Sequence, residues 1–165
     1  MVAQRRRLDE MAEIMMGINV YNKLNGKYKY SMFQPNSFSD VGKIEELTTI
    51  FSDIEVADHQ VLRMNDIIMK RLNPSYVYIV CPKDLPAVAS QNLLVIRPNE
   101  NIDPTYLGYL LEQKEIVSQT EHISGSAAAI KAISAKKLGS IAIPLLKSEK
   151  QKKIGALWML EKKRR

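Results

Sequence analysis

Lys70 and Arg71, with Tyr76 close behind, form the best local basic–aromatic cluster outside the C-terminal tail. Lys23, Lys27 and Lys29 interleave with Tyr28 and Tyr30 in a second. Such cations neutralise phosphates, and Arg and Gln side chains read base edges in the major groove. Both clusters are therefore candidate DNA contacts. The plainer alternative is a solvated surface whose lysines lay their methylenes on apolar neighbours. Ser126 and Lys131, in and after a Ser-Gly-Ser loop, offer a hydroxyl and a charge to a phosphate, or belong to a linker.

Catalytic patterns are incomplete. Asn73-Pro74-Ser75-Tyr76 comes near a motif in which Asn holds the amino group of an extruded base and Tyr stacks on it, but a second proline is missing. The seven glycines are never two apart, so no Gly-x-Gly loop is present for a nucleotide-like methyl donor. A turn between strands accounts for the stretch better. Asp103 with Glu112-Gln113-Lys114 imitates a magnesium-dependent nuclease pattern of acid, then acid-x-lysine. Asp103, however, stands where a helix cap is needed, and Glu112 and Lys114 are expected within that helix, facing solvent. His59 and His122 are isolated, with no cysteine at metal spacing. No series of Ser, Cys or His suggests a nucleophilic triad. The reading is a binding protein, with no catalytic residue, metal or cofactor expected.

The elements that would position these residues follow from periodicity. Leu8, Met11, Ile14 and Met15 fall at helical spacing and predict a short helix over 6–16, stopped by Gly17. Tyr28, Tyr30 and Met32 alternate with polar residues as in a strand, after a turn at 23–26. Residues 35–58 are rich in loop formers. Strands are predicted at Ile67–Met69 after an Asn65–Asp66 turn, at 76–80, at 92–97 and at 141–144. Asp103-Pro104 opens a helix with the apolar stripe Leu107, Leu110, Leu111 and Val117. Ser134 can cap a short turn before Leu138, and Ser148 with Gln151 reads as a capping box for the last helix. The fold class expected is α+β: a mixed, largely antiparallel sheet with flanking helices (residues 1–146), followed by a basic amphipathic C-terminal helix (147–165).

The formal charge of +6 resides in that tail, where eight Lys/Arg face two Glu; the preceding residues balance. Trp158, with Ile154 and Leu157, is core if the tail folds back and a partner interface if it projects. A membrane-surface helix is less favoured because the tail is short and lysine-dense. No apolar run is long enough to span a bilayer, the N-terminus lacks a signal-peptide core, and the lone Cys81 suits a small core position in a reducing cytoplasm.

From Leu62 to Ile154 the sequence resembles the target-recognition domain of type I restriction–modification specificity subunits. The resemblance rests on an ordered series: Leu62-Arg63-Met64-Asn65-Asp66-Ile67-Ile68, Ser90-Gln91-Asn92-Leu93-Leu94-Val95-Ile96-Arg97, Ile102-Asp103-Pro104 with its leucine-rich helix, Gly125-Ser126, Ile133-Ser134, Ile141-Ala142-Ile143-Pro144 and Gln151-Lys152-Lys153-Ile154. Leu8 to Gly17 is similar to the family's opening helix. The resemblance implies sequence-specific binding of double-stranded DNA, with methyltransferase and nuclease subunits as partners. Such subunits carry two recognition domains joined by helices, so one domain here implies a half-subunit, and a homodimer through Ile154, Leu157 and Trp158 would restore the pair. The alternatives are a partner-binding or regulatory protein on the same fold and, more remotely, a fragment of a DNA adenine methyltransferase.

Overall fold

The computed structural model describes residues 4–72, 76–116, 118–119 and 132–165. Ile67-Ile68-Met69 and Leu93-Leu94-Val95-Ile96 are continuous apolar runs because their sheet is covered on both faces. That sheet has the order β2 (Ala12–Met16), β8 (Leu93–Pro98), β5 (Ile67–Lys70), β6 (Val77–Ile79), with every neighbour antiparallel. Ile67, Met69, Leu94 and Ile96 point into one core, beneath the helices. Ile68, Leu93 and Val95 point into a second core, against Phe33, Ala87 and Ala89 of a three-stranded sheet. The latter has the order β4 (Thr48–Ser52), β3 (Tyr28–Phe33), β7 (Ala87–Ala89); β3 and β4 are antiparallel, β3 and β7 parallel. A third sheet pairs β1 (Gln4–Arg7) with β9 (Ala142–Leu145), again antiparallel. The mixed, mainly antiparallel α+β architecture is the one expected.

Residues 6–16 depart from expectation. Only Leu8–Met11 is helical (α1), a single turn between β1 and β2. Leu8 and Met11 are buried, as helical spacing requires. From Ala12 onward, pairing with β8 outweighs local propensity and draws the chain into a strand.

Asp103 caps α2 (Pro104–Leu111): its Oδ1 accepts from the N–H groups of Thr105 and Tyr106 at 2.9 and 3.3 Å. Ser134 Oγ likewise accepts from Lys137 N–H at 3.1 Å and starts α3 (Ala135–Gly139). The expected capping box on the last helix, α4 (Ser148–Arg164), is absent, because its N-cap is Lys147. Gln151 is instead buried: its Oε1 accepts from Asp103 N–H and its Nε2 donates to Leu146 O, both at 2.8 Å. It thereby fastens the start of α4 to the start of α2. Cys81 is half-buried at the head of the short turn Pro82–Asp84, not in the core beside Val80. The buried Asp66 receives Arg97 Nε and Nη2, each at 2.8 Å, and Arg97 also donates to the carbonyls of His59 and Val61. The loop after β4 is thus pinned to β8.

Candidate nucleic-acid interface

Lys70 closes β5 opposite Leu93, the first residue of β8. Arg71 N–H donates to Asn92 O at 3.3 Å. Its Nε donates to Ile133 O at 3.2 Å and its Nη1 to Gln91 O at 3.4 Å, while Ile133 N–H returns a bond to Arg71 O. Arg71 therefore ties the segment leading into α3 to the sheet end. Lys70 Nζ stands 5.6 Å from the Phe38 ring centroid, a cation–π distance. Tyr76 does not join this pair. It packs on Gly42 and lies 5.2 Å below the Arg165 guanidinium carbon, so it serves the last helix.

The second basic cluster lies at the other end of β3, roughly 17 Å along the strand from its Phe33 end. Lys27 and Lys29 are exposed, whereas Lys23 is ion-paired with Asp53. Tyr30 is buried, and its hydroxyl oxygen accepts from Val56 N–H at 3.0 Å. It is a core residue of the three-stranded sheet and cannot stack on a base, contrary to the expectation for it. Ser126, Lys131, His122 and the Asn73–Ser75 stretch lie outside the described residues.

Beside Arg71 opens a hollow of about 390 Å³ between the chain after β2, the end of β3 and the Ser90–Asn92 turn. Its polar wall is made of carboxamides and the Ser90 hydroxyl. No local sequence pattern marks these residues as a site, because three separate segments supply them.

Glu112 corrects another expectation. Its side chain is only 5% exposed. It ends α2 and accepts from Val77 N–H (3.1 Å), Trp158 Nε1 (2.8 Å), Lys162 Nζ (2.8 Å) and Arg165 Nη1 (3.2 Å). Burial lowers the Lys162 pKa, opposed by its hydrogen bond to Glu112. Asp103 and Glu112 sit at opposite ends of α2, about 13 Å apart along its axis, so the nuclease pattern is not assembled. Among the described residues no group of three or more His, Cys, Asp or Glu could hold a metal ion.

Trp158 is buried against Gly108 and belongs to the first core, so it is not a partner contact. Ile154 is partly buried against the same core. The outward face of α4 carries Leu157 and Leu160, which are 67% and 59% exposed. No helix among the described residues is long and apolar enough to cross a membrane.

The fold is shared with solved specificity subunits. One similar chain comes from a structure of a type I R-M system describing its complex assembly and conformational transition: 20% identity, TM-score 0.68, over 98% of this chain and 38% of that one. The HsdS subunit from Thermoanaerobacter tengcongensis gives 21% and 0.65 over 98% and 37%. The type I S subunit from M. genitalium gives 17% and 0.56 over 93% and 37%. The chain thus spans little more than a third of the length of these proteins. No curated protein matches it significantly. The type I restriction modification DNA specificity domain matches residues 3–157, and the chain belongs to that family.

Proposed function

We propose that this chain is a DNA target-recognition module of a type I restriction–modification system, a binding protein and not an enzyme. The observation that carries the reading is the family match across nearly the whole chain. Residues 1–146 form the recognition domain, and 147–165 the helix that connects it to the rest of the assembly. Lys70 and Arg71 supply phosphate contacts at the sheet end, and Lys27 and Lys29 at the far end of β3; Ser126 and Lys131 contribute a hydroxyl and a charge to the same role. The module reads one half of a divided site in duplex DNA. A second module, in the same polypeptide or in a second copy, reads the other half.

Leu157 and Leu160 form the docking face of α4, turned toward a helix of the methyltransferase subunit or toward a second copy. An acidic partner suits the tail better than its own copy, because like charges repel within a Debye length. The nuclease subunit joins through the same assembly, in the cytoplasm. Selection from a random duplex pool, by the full chain alone and with its methyltransferase subunit, tests the reading. Enrichment of one motif supports it, and a pool that stays random refutes it.

A further inference from the structure

Resting on that DNA reading, we propose that the hollow beside Arg71 reads the major-groove edge of an adenine. Five carboxamides line it, from Asn19, Gln34, Asn36, Gln91 and Asn92, and among the described residues no charged side chain does. Asn19, Asn36, Gln91 and Asn92 are exposed. Arg71 engages the backbone carbonyls of Gln91 and Asn92, and among the described residues their exposed side-chain amides make no hydrogen bond. At the hollow's wall the Ser90 hydroxyl is buried with no partner among the described residues. A buried hydroxyl without a bond is costly, so it is suited to a ligand group or a bridging water.

The chemistry of the wall selects the base. A carboxamide presents one donor side and one acceptor side, the complement of adenine N7 and N6–H. Guanine offers two acceptors and calls for Arg or Lys; cytosine offers an amino donor and calls for a carboxylate. Among the described residues neither charge lines the hollow. Lys70 stands over Phe38, immediately after the Pro35–Ser37 turn that forms part of the wall. A phosphate held there would set the register of a base edge against the amides.

The test uses duplexes selected by the unaltered full chain, assembled as above, with each adenine of the motif replaced in turn by guanine. For the unaltered chain, one such replacement weakens binding about ten-fold or more. In the double variant Gln91→Ala, Asn92→Ala the same replacement costs less than about three-fold, while affinity for random duplex and its salt dependence are retained. Both positions lie in an exposed turn whose backbone bonds survive the change. Misfolding would lower binding to all duplexes alike, so base-specific loss is the signature. A second double variant, Asn19→Ala, Asn36→Ala, probes the opposite wall and is expected to relax the same or an adjacent position. A motif without adenine, or adenine discrimination unchanged in both variants, overturns this inference and leaves DNA recognition standing. No motif from the unaltered chain overturns both.

Discussion

The indole Nε1–H of Trp158 donates to Glu112 Oε1 at 2.8 Å, joining the last helix to the end of α2. The Lys162 ammonium lies 4.7 Å from the centroid of the same indole, bonds the other oxygen of Glu112, and donates to Val77 O at 2.9 Å. One carboxylate therefore serves helix α4 and, through Val77 N–H, edge strand β6. Because β6 follows the Lys70–Arg71 segment, the tail and the candidate DNA face share a foundation.

Glu112→Ala should be among the most damaging single changes. It strands two cations, an indole N–H and a backbone N–H in a buried site, and the loss should be about 3 kcal/mol. Urea unfolding followed by the single tryptophan measures it. Glu112→Gln keeps an acceptor and should cost less. Unchanged stability in Glu112→Ala would show that the tail is not fastened there.

Gly155→Ala and Gly108→Ala test the closeness of α2 and α4. Propensity alone favours alanine by up to about 1 kcal/mol. A Cβ on Gly155 would overlap Thr105 Oγ1, and one on Gly108 would lie 2.5 Å from Trp158 Cη2. Overpacking should win, with destabilisation of about 1–3 kcal/mol in each. A rise in melting temperature for either would mean the helices can separate freely.

Tyr106 gives a pH dependence. Its hydroxyl donates to Pro144 O at 2.6 Å, and burial pushes its pKa from 10.0 up to about 12. Between those values the folded chain keeps a proton that the unfolded chain releases. The contribution is therefore complete below pH 10.0 and is lost as pH climbs toward about 12. Tyr106→Phe should cost about 1 kcal/mol at neutral pH. The gap in urea midpoint between the two proteins should narrow above pH 10.0. A gap that widens instead would contradict this placement of the phenol.

The architecture was legible where burial is two-sided and continuous, as at Ile67–Met69, and where a cap has local chemistry, as at Asp103 and Ser134. Over 6–16 Ile14 and Met15 satisfy a helical stripe and a strand equally, and pairing with β8, about eighty residues away, decides between them. Nothing near Glu112 in sequence marks the arrival of Trp158, Lys162 and Arg165, so sequence alone predicts a solvent-facing side chain there. Lys70 and Arg71 were found as adjacent cations. The amides of the neighbouring hollow carry no sequence signal because Asn and Gln are common in loops, and only the fold brings residues 19, 34–36 and 90–92 together.

Lys70→Ala isolates a phosphate contact more cleanly than Arg71→Ala, since Arg71 also holds Ile133 and Gln91. The Lys70 variant should stay within about 0.5 kcal/mol of the parent stability. It should weaken binding to all duplexes alike and lower the log–log salt slope by about one. DNA affinity unchanged in this variant would remove the sheet end from the interface.

Competition binding addresses sequence-specific recognition most directly. A labelled duplex carrying the selected motif is bound by the assembled chain at about 150 mM salt, and unlabelled random duplex is added. The account predicts that about a thousand-fold excess or more is needed to displace half the label. Displacement at equal concentrations would contradict it, leaving only charge-driven, sequence-blind binding.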